Sequence, residues 1–261
     1  MTRPYERIRV KRDGIAETIT LSNPARRNAI GPRMVNELLW ALEDAAAADE
    51  VRAIVLTGEG EAFCSGGDFA EMRAPGRAST DDLPNKGDFA DLLLALCNTD
   101  KPVVAKVNGH ALGGGLGIVA ASTFAVASTE AVFGTPEIEV GLFPMIIMAV
   151  LSMHVPRRRL LEMMLLGQTF GASEAARLGL VNRAVARELL DEDVKAIVDA
   201  IAAKSASTTR LGLRAFVAQD DLDLEQALPL LRDRLAECLA TEDAREGLMA
   251  FVEKRKPRWR Q

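Results

Sequence analysis

Apolar and polar residues alternate over the first positions of the chain. Ile8 and Val10 precede Asp13-Gly14, and Ile15, Thr18, Ile19, Thr20 and Leu21 follow it. Alternation on both sides of a dipeptide that favours a tight turn predicts two paired strands, at 7–10 and 15–21. Ser22-Asn23-Pro24 is turn chemistry, after which Met34, Leu38, Leu39 and Leu42 recur at helical spacing up to the Ala45–Ala48 run, which predicts an amphipathic helix. Ala53-Ile54-Val55-Leu56 and the run from Pro102 to Val107 are closed by Thr57-Gly58 and Asn108-Gly109, as buried strands read. A helix at about 88–97 between them gives the order strand, helix, strand of an α/β protein. Residues 73–87 are rich in Pro, Gly, Ser and Asp without a period and predict a mobile surface loop. After Pro156 strand signals fade apart from Val181. Helices are expected at 157–166, 173–178, 188–203, 208–218, 223–239 and 242–255, so the last 60 or so residues read as all-helical.

Composition narrows the partners. The 261 residues are 48% hydrophobic and 26% charged, enough for a substantial core. Thirty-two Lys and Arg against 37 Asp and Glu leave a formal charge of −5, which argues against nucleic acid or an anionic membrane and for small molecules or copies of the same chain. Cys64, Cys97 and Cys238 are odd in number and contain no CxxC pair, which speaks against a disulfide framework and a zinc site and fits a reducing cytoplasm. The first residues lack the apolar core of a signal peptide, and no apolar run reaches membrane-spanning length, so a soluble cytoplasmic protein is expected.

Three stretches carry candidate chemistry. Gly113-Gly114-Gly115-Leu116-Gly117 follows a predicted strand and precedes an apolar stretch. Four glycines in five residues are costly in a plain helix, so something approaches that backbone or it takes unusual dihedrals. A helix starting there would offer unpaired N–H groups to an anion or a developing oxyanion, whereas tight helix packing would need glycine without any ligand. Phe63-Cys64-Ser65-Gly66-Gly67-Asp68 is a second glycine turn, and two such turns after neighbouring strands can each aim one amide at the same oxygen. Asp68 there reads as a helix cap. In Thr135-Pro136-Glu137-Ile138-Glu139-Val140, Glu137 sits among apolar residues beside a proline, where burial would raise its pKa toward proton transfer. If the segment is extended, Glu139 shares its face and either acid is the candidate.

In this order and spacing, these elements resemble the enoyl-CoA hydratase/isomerase family, the crotonase superfamily. The likeness runs through Asn23-Pro24 with Arg27-Asn28-Ala29, the turn from Phe63 to Asp68, Lys101-Pro102-Val103-Val104-Ala105, Asn108-Gly109 and the glycine run. It continues through Phe133-Gly134-Thr135-Pro136-Glu137, Gly141-Leu142-Phe143-Pro144, Leu166-Gly167-Gln168, Gly179-Leu180-Val181 and the tail from Phe251 to Pro257. The resemblance implies an α/β fold with a spiral of repeated ββα units over residues 1–200. It implies a helical oligomerisation region over 201–261 that builds a homotrimer or a dimer of trimers. It also implies an acyl-CoA substrate, CoA being part of the substrate with no separate cofactor and no metal, and a thioester oxygen held between the amides of Gly67 and Gly114. Arg27, Cys64, Met72, Met145 and Lys254 would contact substrate, the basic residues at the CoA phosphates.

Hydratases of the family use two glutamates. Glu137 matches the second, but the position of the first is Gly117, and Met145 stands where some isomerases carry an acid. Enoyl-CoA hydration, in fatty acid or related metabolism, is the first expectation because it is the activity most often assigned to such chains. The residue logic favours the alternative, a 3,2-enoyl-CoA isomerase, because one acid beside an oxyanion hole suffices to move a proton between carbons four and two. A homologue that only binds acyl-CoA is a third reading. Gly115-Leu116-Gly117-Ile118-Val119-Ala120 also fits GxGxxA, but it follows its strand at a distance and lacks the acidic partner of a dinucleotide site. There is no GxSxG, and with two histidines, His110 and His154, a hydrolase triad is weaker still.

Overall fold

The computed structural model describes residues 3–73, 78–80 and 82–260. Strands β1 (Ile8–Asp13) and β2 (Ala16–Leu21) form the expected hairpin, paired from Ile8 opposite Leu21 to Asp13 opposite Ala16. Glu17, Ile19 and Leu21 of β2 point inward, while β1 is an edge strand with only Ile8 buried. Helix α1 (Pro32–Ala47) starts with proline in its first turn, where no N–H is missed, and buries Met34, Leu38, Leu42 and Ala45. Lys101, itself buried, closes the other end by donating from Nζ to the carbonyl oxygens of Ala45, at 2.7 Å, and Ala48.

From there the chain repeats a long strand, a short strand and a helix. β3 (Ala53–Gly58) leads to β4 (Ala62–Cys64) and the helices α2 (Phe69–Met72) and α3 (Phe89–Asn98). β5 (Val103–Val107) leads to β6 (His110–Leu112) and α4 (Gly114–Ala120). β7 (Phe124–Ser128) leads to β8 (Val132–Gly134), a 3-10 turn at Pro136–Val140 and α5 (Ile147–Ser152). Then follow α6 (Arg157–Leu166), β9 (Phe170–Gly171), α7 (Ala172–Arg177), β10 (Arg183–Val185), α8 (Leu190–Ala202), α9 (Ala206–Gln219), α10 (Leu224–Leu239) and α11 (Glu242–Val252).

The long strands form a sheet of order β1-β2-β3-β5-β7-β10, parallel from β2 onward, and the short ones a sheet of order β4-β6-β8-β9. Each step along one sheet is a step along the other, which is the ββα spiral expected of the sequence. β3 and β5 read as unbroken apolar runs because both faces are covered. Ile54, Leu56, Val103 and Ala105 face the main core, and Val55, Val104 and Val126 meet Leu190 and Val194 of α8 on the other side.

Beyond α8, helices α9, α10 and α11 pack on one another, clipped by Asp243 accepting from the hydroxyls of Ser205 at 2.6 Å and Ser207 at 2.7 Å. The helical expectations after Pro156 hold to within a few residues. The short strands β9 and β10 break the predicted absence of strands there, since two or three residues are too few to show a period. Among the described residues, no helix is long and apolar enough to cross a membrane.

Candidate active site

Helix α4 begins where β6 runs into Gly113, whose φ of +49° and ψ of −119° suit glycine. The Gly113 N–H donates to the Gly134 carbonyl at 2.9 Å, which ties the turn to β8. Gly114 is the first residue of α4, so its own N–H has no acceptor within the helix. Facing it is the turn after β4, held by Ile30. The Ile30 N–H donates to Gly66 O at 2.8 Å, and the Ile30 carbonyl accepts from Asp68 N–H at 2.9 Å. Those two bonds straddle Gly67 and turn its N–H to the other side. Among the described residues, neither Gly67 nor Gly114 gives its N–H to a protein acceptor. Both glycines border one cavity of about 570 Å³.

The wall of that cavity is mostly apolar, with Val35, Phe69, Phe89, Phe143, Met145 and Ile147 contributing to it. Glu137 is one of the exceptions, with Asn85 and Asp88. It lies in the 3-10 turn, not on a strand, which corrects the extended reading: Glu139 does not share its face, is exposed, and leans toward Gly167. The Glu137 carboxylate rests on the Cα of Gly113, where an added Cβ would lie 2.9 Å from Cδ and overlap Oε1. Oε2 is buried without a hydrogen-bond partner, and burial raises the carboxyl pKa above its ordinary value. Asp88 is the second acid on the wall among the described residues. Its Oδ1 is committed to the N-terminus of α3, accepting from Ala90 N–H at 2.8 Å and Asp91 N–H at 3.2 Å. Among the described residues, no three His, Cys, Asp or Glu side chains group as a metal site would require.

The other predicted residues scatter. Met145 lies on the cavity wall. Cys64 does not: it is fully buried beneath α4, where an added Cβ at Gly115 would stand 2.7 Å from Cys64 Cβ, and burial pushes its thiol up to about 12. Cys64 packs beneath the helix and is not among the residues that border the cavity. Met72 ends α2, but its side chain lies outside the described residues. Arg27 is exposed in a left-handed turn and Lys254 is exposed after α11; neither borders the cavity. Asp68 caps α2 as expected, accepting from Glu71 N–H at 3.0 Å and pairing with Arg26. Burial opposes its charge, but those two partners outweigh burial and hold the carboxyl below its usual range.

The loop at 73–87 lies partly outside the described residues. Its described part is not the free surface loop expected. Leu83 is buried, and the buried Asn36 donates from Nδ2 to the carbonyls of Ala78, Leu83 and Pro84 at 3.0–3.2 Å and accepts from Lys86 N–H at 2.7 Å. Trp40 Nε1 donates to Pro84 O at 3.0 Å. This stretch brings Ala78, Asn85 and Asp88 to the cavity. Sequence reasoning missed Asn36, Phe89 and Ile147. Phe89 had a visible signal, the Asp88 cap before it, but nothing local marks Asn36 or Ile147.

The other motifs resolve simply. Gly115 and Gly117 lie inside α4 against Cys64 and Ile147, so no pyrophosphate reaches their backbone as a dinucleotide fingerprint requires. His154 Nε2 lies 2.8 Å from Ala120 O as a packed residue, and His110 is exposed on β6 away from the cavity.

Residues 11–261 match the family model described as enoyl-CoA hydratase/isomerase. Rat enoyl-CoA hydratase domain-containing protein 3, mitochondrial, is 36% identical over 250 residues, covering 95% of this chain and 82% of the rat protein. The crystal structure of an enoyl-CoA hydratase from Mycobacterium smegmatis superposes with a TM-score of 0.90 at 36% identity, covering 98% of this chain and 100% of that one. Human enoyl-CoA hydratase domain-containing protein 3 gives 0.90 at 32% identity over 97% of this chain and 100% of its own. With two unclaimed glycine amides and one half-buried glutamate on a shared cavity, and with these matches over nearly its whole length, this chain belongs to the enoyl-CoA hydratase/isomerase family.

Proposed function

We propose that the protein shifts the double bond of an enoyl-CoA thioester between carbons three and two, with Glu137 carrying the proton. The observation that supports this most is that Glu137 is the single uncommitted carboxylate on the cavity wall among the described residues: it has a buried oxygen without a partner, on a cavity bordered by Gly67 and Gly114. In a 3-enoyl thioester, Glu137 takes a proton from carbon two. The electron pair left behind delocalises as a dienolate onto the thioester oxygen, which accepts from the amides of Gly67 and Gly114. Glu137 then returns its proton to carbon four, leaving a bond between carbons two and three. Atoms and charge balance with no water consumed and no separate cofactor. An elevated carboxyl pKa suits both halves, since a base that must give its proton back works best near the working pH.

Hydration is the second reading, favoured by the names of the rat, human and mycobacterial relatives. It needs a second group to activate water. Among the described residues on the cavity wall no such group is free: position 117 is glycine, and Asp88 is engaged as a helix cap.

We further propose that Arg27 and Lys254 meet the CoA phosphates from outside the cavity, and that the helices from residue 201 onward assemble a homotrimer or a dimer of trimers. Leu228, Leu235, Leu239, Leu248 and Phe251 of α10 and α11 are exposed, in keeping with a surface that another copy covers. The unpaired cysteines accord with a reducing compartment such as the cytoplasm.

The test follows the conjugated thioester absorbance with crotonyl-CoA and with a 3-enoyl-CoA. A gain with the 3-enoyl substrate and little loss with crotonyl-CoA is expected. The reverse would install hydration, and no change in either would leave acyl-CoA binding.

A further inference from the structure

Three cavity-wall side chains each rest on a glycine at the start of α4. Glu137 lies on Gly113. Phe89 reaches across to Gly114 and Gly117, its Cζ 3.3 Å from an added Cβ at the first and 3.7 Å at the second. Ile147 sits on Gly117, where an added Cβ would lie 3.1 Å from Ile147 Cβ and overlap Cγ2. Gly114 and Gly117 are three residues apart on a helix and so share a face. The apolar pair Phe89 and Ile147 therefore covers the face of the helix at Gly117, one turn along from Gly114, where a water molecule or another polar group would need room. Ile147 is 3% exposed and opens α5, so its position is fixed by a helix terminus and not by a loose loop.

We infer that Ile147 determines the reaction outcome: seated on Gly117, it keeps water from carbon three of the 2-enoyl thioester formed once Glu137 has returned its proton to carbon four, so that no water adds across the new double bond and the isomerised product is not hydrated. This rests on the reading of Glu137 as the proton carrier. The physical reason is elementary. A water molecule needs two to four polar partners to occupy a buried position. The side chains nearest to the outer face of Gly117 are Ile147 and Phe89, which offer none. Replacing Ile147 by alanine removes three carbons at that point and opens room next to the helix amide.

The test compares wild type, Ile147→Ala and the volume-conserving Ile147→Leu in two ways. The first is a crystal structure of each with crotonyl-CoA. The inference expects no ordered water beside Gly117 in wild type and in Ile147→Leu, and one in Ile147→Ala. The second is the share of 3-hydroxyacyl-CoA among the products from a 3-enoyl-CoA, expected to rise at least tenfold in Ile147→Ala and to stay within twofold in Ile147→Leu. Water beside Gly117 in wild type, or an unchanged product share in an Ile147→Ala protein that still turns over, overturns the inference. Should Ile147→Ala not fold, the wild-type and Ile147→Leu structures still decide the water question. A wild type that moves no double bond yet keeps this side dry would defeat the proposed reaction while leaving the dry wall standing.

Discussion

The carboxylate of Glu137 and the Cα of Gly113 are in contact so close that a methyl group on Gly113 would lie 2.9 Å from the carboxyl carbon. Gly113 also has a positive φ of +49°. Gly113→Ala is therefore expected to push the carboxylate out of place and strain the turn, at about 1–3 kcal/mol of stability. Turnover should fall about 100-fold, in line with the sensitivity of proton transfer to misplacement. Steady-state kinetics and urea unfolding on the same preparation check both halves.

Glu137→Gln removes the proposed proton carrier while keeping the shape. Turnover is expected to drop about 10³-fold, within the usual contribution of a general acid–base group. The same change should stabilise the fold at neutral pH by about 1 kcal/mol, because the wild type holds a buried carboxylate oxygen without a partner. The sign follows from the raised pKa. A carboxyl whose folded pKa exceeds its unfolded one costs nothing when protonated in acid, and its penalty grows as pH rises through the folded value. The gain of the Gln variant should thus vanish at low pH. Wild-type kcat/KM should fall on acidification with a midpoint above that of an ordinary glutamate. A midpoint at the ordinary value would contradict the burial argument.

Asn36 makes four hydrogen bonds to the backbone between Ala78 and Lys86. Asn36→Ala is expected to cost about 2–3 kcal/mol because it leaves buried polar groups unpaired. KM should rise more than kcat falls, since the loosened stretch supplies part of the cavity wall and not the proposed proton carrier. An unchanged KM in a folded variant would show that the wall holds its shape without this anchor.

Cys64 is buried and its thiol titrates near 12, so the native protein should leave it unlabelled by iodoacetamide at pH 8, with labelling appearing only in denaturant. Peptide mapping by mass spectrometry reads this directly. Rapid labelling of Cys64 in native buffer would contradict its place beneath α4.

The hairpin around Gly14, the runs at β3 and β5 and the helices after Pro156 were legible because each rests on a local cause: a turn dipeptide, a strand covered on two faces, a 3.6-residue period. So were the two glycine turns and Asp68, whose capping geometry reaches only three residues along the chain. Glu139 misled because proline followed by alternating acids reads as extended. Whether a proline opens a strand or a 3-10 turn depends on what the segment packs against, here α6 and the Gly113 turn.

The sequence by itself determined the elements, their order and the family, because these follow from periodicity, turn chemistry and motif spacing along the chain. The tertiary structure alone decided which side chains share the cavity. Asn36 bonded to Ala78, Leu83, Pro84 and Lys86, Cys64 buried under Gly115, and Ile147 seated on Gly117 are contacts between segments about 30 to 50 residues apart. Packing of that kind is settled by volume and close approach in space, which leave no periodic trace in the order of the residues.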